Sequence, residues 1–166
     1  MNVFLGRETP YLAHHMFDGD MYILSSIRSV GAGATVYIQG KFGATKLFHT
    51  IERRHTFEGG GPYTIDLIEA PTITDGTTAA FAANMNRQSA NTHEAQFFSD
   101  PTAISGGTII DTIYMPAAGL GSQTIGAGVV GIERMLKKST DYVIRIVNAG
   151  AASTFYTSVL FYESGN

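Results

Sequence analysis

The run Lys138-Ser139-Thr140-Asp141-Tyr142-Val143-Ile144-Arg145-Ile146-Val147-Asn148, followed by Ala149-Gly150-Ala151-Ala152 and then Ser153 to Glu163, decides the fold class of this chain. In its first part Tyr142, Ile144 and Ile146 fall on one face, and Val143, Arg145 and Val147 on the other. In its second part Phe155, Val159 and Phe161 oppose Tyr156, Leu160 and Tyr162. A period of two in β-branched and aromatic residues is the pattern of strands. The small residues from Asn148 to Ala152 signal a turn. The reading predicts an antiparallel hairpin that is apolar on both faces. One face suits a sandwich core, and the other needs cover from the chain or from a partner.

The same period runs through most of the chain. From Met21 the runs 21–28, 35–39 and 47–52 alternate and read as a strand meander. Glu58-Gly59-Gly60-Gly61-Pro62 is a strong break. Tyr63 to Glu69 is the cleanest half-buried strand, with Tyr63, Ile65 and Leu67 on one side. Further strands are expected over 78–86, 91–99 and 108–115, and a strand fits Val129 to Lys137 better than a helix. Residues 116–128 read as a glycine-rich loop. No segment shows helical periodicity over three turns, and no repeat points to a solenoid or propeller. About eight to ten short strands at this spacing predict an all-β chain, a sandwich or barrel.

Residues 1–20 stand apart. Phe4, Leu5, Tyr11, Leu12, Met16 and Phe17 are apolar without the spacing of a strand or an amphipathic helix. They predict an N-terminal arm, a docking segment that contacts a partner, ahead of one antiparallel β-sandwich domain over residues 21–166.

Composition narrows the function. Charged residues are 15% of the chain and apolar ones 44%, a surface short of charge and suited to being covered. The net charge of −3 argues against a nucleic-acid partner. There is no cysteine, hence no disulfide framework or thiol chemistry. No apolar stretch is long enough to span a bilayer, and Met1 to Glu8 lacks a signal-peptide pattern. The expectation is a soluble protein made in the cytoplasm, with no membrane partner.

Motifs for catalysis fail one by one. Gly126-Ala127-Gly128-Val129-Val130-Gly131 spells G-x-G-x-x-G, but no βαβ setting surrounds it. His93-Glu94 lacks the second histidine of a zinc-protease helix, since Phe97 stands in its place. His14 and His15 are adjacent, and on a strand would point apart, while His49 and His55 share at best a strand face. No metal site, cofactor or catalytic set is expected. Glu69, Asn84, Asn86 and Arg87 are polar residues at the ends of apolar strands around one loop. They predict a structural polar network in which Arg87 pairs with a buried Glu69 and the asparagines tie down backbone.

The ordered series Ile65 to Pro71, Asn84 to Ser89, Phe98 to Thr102, Gly106-Gly107-Thr108, Leu136 to Asn148 and Leu160 to Glu163 resembles small virion proteins of tailed bacteriophages, the capsid decoration or cement proteins. It covers about residues 60–166 and departs at Phe161, where the family pattern favours tryptophan. The resemblance implies a jelly-roll-like sandwich without catalysis. It implies a place on the outer surface of the virion head, with the major capsid protein as partner. A closed homo-oligomer is expected, dimer ahead of trimer. The alternatives are a head- or tail-fibre module that recognises host glycan, and a β-sandwich glycan hydrolase.

Overall fold

The computed structural model describes residues 11–78, 82–117, 122–127 and 133–165. In chain order the elements are α1 (Tyr11–Asp18), β1 (Met21–Val30), β2 (Thr35–Lys41), β3 (Lys46–Glu58), β4 (Tyr63–Glu69), β5 (Thr72–Thr74), β6 (Thr77–Thr78) and β7 (Ala82–Asn84). They continue with β8 (Gln96–Ser99), β9 (Thr102–Ser105), β10 (Thr108–Met115), β11 (Ser122–Ala127), β12 (Arg134–Leu136), β13 (Asp141–Asn148) and β14 (Ser153–Gly165). The first large sheet runs β11-β3-β14-β1-β7, with β12 also on β3. The second runs β10-β4-β13-β2-β8-β6, and β5 pairs β9 in a two-stranded sheet.

The expected closing hairpin does not form. β14 lies between β3 and β1, whereas β13 lies between β4 and β2 in the other sheet. The turn after Asn148 therefore carries the chain across the sandwich. The Asn148 side chain donates to the carbonyls of Gly31 and Ala151 and accepts the Gly150 amide. Ala149 donates to Pro62 O, and any side chain at Gly150 would collide with the Gly61 carbonyl. These ties to two other loops fix an arch. Alternation alone cannot separate an arch from a hairpin, because both need two strands and a short turn. The expected meander over 21–52 is corrected for the same reason: β1 and β3 belong to the first sheet and β2 to the second.

Eight long strands, β1, β2, β3, β4, β10, β11, β13 and β14, make the frame. Numbered in that order, the first sheet places them 1-8-3-6 and the second 2-7-4-5, with every pairing between them antiparallel. Two sheets exchanging strands in this way form the double Greek key of a jelly roll.

The inner faces meet in one core. Phe48, Phe57, Phe155, Val159 and Phe161 come from the first sheet, and Ile38, Tyr63, Ile65, Tyr142 and Ile146 from the second. Phe161 stacks on Phe48 at 4.5 Å, and Phe48 on Phe42 at 4.1 Å. Tyr63 packs between Phe57 and Phe155 at the other end. At one open side, Asp111 of β10 accepts from Arg53 of β3 and from Arg134 of β12 at 3.2 Å. This joins the edge of the second sheet to the first.

The outward face of the second sheet carries Ile68 and Val143, paired in register and buried. The turns around β5 and β9 lie against it. Asp75 accepts from Gln39 Nε2 at 2.8 Å, and Gly107 packs against Ile68.

Local differences from the sequence reading have simple causes. Residues 11–18 form a helix of 8 residues, too short for periodicity to show. It closes with Gly19 N–H on Met16 O and Asp20 N–H on His15 O, and Gly19 has φ of 77°, where glycine is favoured. The run 78–86 takes in the end of β6 and all of β7, which belong to different sheets, with 79–81 outside the described residues. In 91–99 only Gln96 onward is strand, and in 129–137 only Arg134–Leu136, with 128–132 outside the described residues. Most of the G-x-G-x-x-G run thus lies outside them too.

Candidate docking surface

α1 lies on the outward face of the first sheet. On β14 the odd residues 155, 157, 159, 161 and 163 turn inward, so Tyr156, Ser158, Leu160 and Tyr162 turn outward. Tyr162 is nonetheless fully buried. Its ring is sandwiched by His15 of α1 at 3.9 Å and His49 of β3 at 4.3 Å, both nearly parallel to it. Met21, Ile51, Leu160 and Met16 complete an apolar cluster around it. Glu133 closes the side: it accepts from Tyr162 Oη at 2.6 Å and from His49 Nδ1. These bonds hold the Glu133 carboxyl below the usual carboxylate range against the opposing pull of burial. His49 Nε2 meets Ser164 Oγ at 2.9 Å.

His49 and His55 do not share a face. The register shifts between Leu160 and Phe161, leaving Ile51 as an extra residue in β3. Such a bulge reverses the alternation beyond it. His55 therefore points into the core, beside Thr157 Oγ1 at 3.2 Å. Burial, then the charge of Arg53, push its pKa down to about 3.

Farther along the same outward face the described residues provide no cover. Ser25, Ile27, Arg54, Thr56, Tyr156 and Ser158 line an open depression of about 230 Å³. Ile27 is paired with Tyr156 and is 67% exposed.

The predicted docking residues divide. Phe4 and Leu5 lie outside the described residues, and Tyr11 and Leu12 open α1. Met16 packs on the chain's own sheet, whereas Phe17 is 68% exposed.

The predicted polar network also divides. Glu69 does not pair with Arg87. It ends β4 in the second sheet, opposite Tyr142 of β13, whereas exposed Arg87 follows β7 on an edge of the first. Glu69 accepts from Lys137 Nζ at 2.5 Å and from Tyr142 Oη at 2.8 Å. Those bonds lower its pKa, while burial pushes the Tyr142 phenol up to about 12. Asn84 Nδ2 donates to Gly19 O at 2.7 Å and to Asn91 O at 3.2 Å. Asn86 Nδ2 donates to Phe17 O at 3.1 Å. The two asparagines thus hold the C-terminal end of α1, so two features that look separate in sequence meet in one place.

Sequence reasoning missed Glu163. Its side chain takes a core-facing position on β14 and accepts the amides of Glu94 at 2.6 Å and Ala95 at 2.8 Å. Lys46 Nζ lies 3.6 Å away. A carboxylate in register with Phe155, Val159 and Phe161 was the available signal. His15, His49 and Glu133 had none, because their meeting depends on the bulge and on the helix. Among the described residues no group of three or more histidine, aspartate or glutamate side chains could hold a metal ion. The carboxylates of Glu69, Asp111, Glu133 and Glu163 are each engaged in joining one segment to another.

No protein-family model matches the chain, and no curated protein does. Among solved structures, the mitogen derived from Yersinia pseudotuberculosis is 10% identical over 82% of this chain and 83% of its own, with a TM-score of 0.36. Broad Bean Stain Virus is 13% identical over 87% of this chain and 89% of that one, with a TM-score of 0.35. The VP1 protein of trichodysplasia spinulosa-associated polyomavirus is 9% identical over 85% and 77%, with a TM-score of 0.14. At these scores the likenesses carry no argument, and the jelly roll rests on the strand pairing itself.

Proposed function

We propose that this chain is a structural virion protein of a tailed phage, one that binds the outer surface of the head and bridges neighbouring capsid subunits. One observation carries the reading: the motifs that resemble decoration proteins coincide with ties between segments. Glu69, from the motif ending at Pro71, is bonded to Lys137 and Tyr142 of the motif that runs to Asn148. Asn84 and Asn86 hold α1, and Glu163 of the last motif holds residues 94 and 95. A scaffold kept in shape by such ties suits a protein that bears load. Catalysis is not part of the proposal. Docking on the major capsid protein falls to the segment before α1, with Phe4 and Leu5, and to exposed Phe17.

Binding to phage heads that lack this protein tests the reading. The purified chain should co-sediment with such heads and saturate, and should raise the temperature at which they release DNA. Absence of head binding together with binding to host polysaccharide would overturn it in favour of a fibre module. Cleavage of that polysaccharide would favour the hydrolase.

A further inference from the structure

The open edges of the two sheets are not alike. Proteins guard edges with short strands, lysine, proline or bulges. β6, with 2 residues, and β7, with 3, end their sheets as short strands. β10 ends the second sheet with 8 residues, Thr-Ile-Ile-Asp-Thr-Ile-Tyr-Met, and carries neither lysine nor proline. Among the described residues no strand pairs with its other side. A bulge between Ile109 and Asp111 leaves residues 111–115 in unbroken register with β4.

This stretch is suited to meet itself. Its one charged residue, Asp111, turns inward and is paired with Arg53 and Arg134, so the strand presents no unpaired carboxylate to a second copy. Thr112 and Tyr114 turn outward, and Tyr114 is 63% exposed. A strand that pairs antiparallel with a copy of itself must place residues of one face opposite each other. With Ile113 on the two-fold axis, Thr112 of each copy faces Tyr114 of the other, and no side chain changes face.

We infer that the Asp111–Met115 edge of β10 is a homodimer contact, at which a second copy of this chain adds its own β10 antiparallel, with Ile113 on the axis. The two second sheets then run on as one. The contact stands on the edge geometry, and its use on a shell rests on the function proposed above. It also replaces the closing hairpin as the source of the expected dimer.

Sedimentation velocity of the full chain across a concentration series tests it. The wild type should shift from monomer to dimer as concentration rises. The double substitution T112K/Y114K places lysine opposite lysine and should leave monomer; Thr112 Oγ1 donates to buried Asp66 at 2.7 Å, so its melting temperature is compared with that of T112K/Y114E, which loses the same bond. T112K/Y114E places lysine opposite glutamate in this register and should restore the dimer. As a second reading, T112C/Y114C in this cysteine-free chain should give a covalent dimer on oxidation. A wild type that stays monomeric, a dimer indifferent to T112K/Y114K, or failure of both T112K/Y114E and the cysteine pair would overturn the contact. Loss of the dimer on removing residues 1–10 alone would assign the edge to the arm of a neighbour. A dimer that forms as predicted but binds no heads would retain the contact and reject the proposed function.

Discussion

Tyr162 and Tyr156 point outward from the same strand, six residues apart, and their surroundings differ. Tyr162 sits in an unbroken apolar patch with Met21, Ile51 and Leu160, and α1 covers it. Tyr156 sits among Ser25, Thr56 and Ser158, and the face around it stays open. The difference shows what obliges a sheet face to be covered. A continuous outward apolar patch loses too much when left in water, since each side chain hidden is worth about 1.5–3 kcal/mol. Hydroxyl residues between apolar ones dilute that gain until ordering a covering segment, at about 1–2 kcal/mol per residue of backbone, no longer follows. Among the described residues the chain therefore covers one end with its own helix and leaves the other bare.

The largest expected effect concerns the inner face that both ends share. His55 has its folded pKa at about 3, below its unfolded value of about 6.5, so the unfolded chain takes up the proton first as pH falls. The stability that the neutral buried imidazole allows is present above pH 6.5 and lost between there and about pH 3. The loss should approach about 1.4 kcal/mol per pH unit. His55→Gln should flatten that slope in denaturation curves taken from pH 7 to 4, and a slope unchanged by the substitution would remove the histidine from the account.

The comparison itself is sharpened by truncating the two tyrosines. Tyr162→Ala removes a buried ring held between two histidines and bonded to Glu133, and should cost about 3–5 kcal/mol in urea denaturation. Tyr156→Ala on the open end should cost less than about 1 kcal/mol. Equal losses would break the distinction between the two ends.

Removing residues 1–17 takes His15 and Met16 away from the patch and should lower stability by about 2 kcal/mol while leaving the sandwich folded. Removing residues 1–10 keeps the helix and should weaken attachment to heads. A smaller effect than that of the truncation belongs to Asn86→Ala, which frees Phe17 O at the end of the helix and should cost about 1 kcal/mol. Hydrogen exchange should then quicken over 16–19 and at the Gln88 amide, which Asn86 Oδ1 accepts at 3.1 Å.

Much of the fold was legible in the sequence because period two reports which residues share a face. It marked Phe155, Val159 and Phe161 as one row and Tyr63, Ile65 and Leu67 as another, and both rows line the core. It could not report which strand lies beside which. The arch at Asn148 looks like a hairpin because its partners, Gly31 and Pro62, are remote in sequence. The bulge at Ile51 was invisible for the same reason, and with it the opposite fates of His49 and His55. At the candidate surface, Asn84 and Asn86 were legible as residues that tie down backbone, and the structure shows that the backbone is that of α1. Glu69 was legible as a residue in need of a cation, but the choice between Arg87 and Lys137 is made by the register of β4 on β13.

Electron cryomicroscopy of heads that lack this protein, saturated with the purified chain, tests the proposed function most directly. The account predicts added density on the outer surface, shaped as a β-sandwich and straddling the boundaries between capsid subunits, with a connection to the shell from the α1 end. Bare heads, or density confined to the tail, would contradict it.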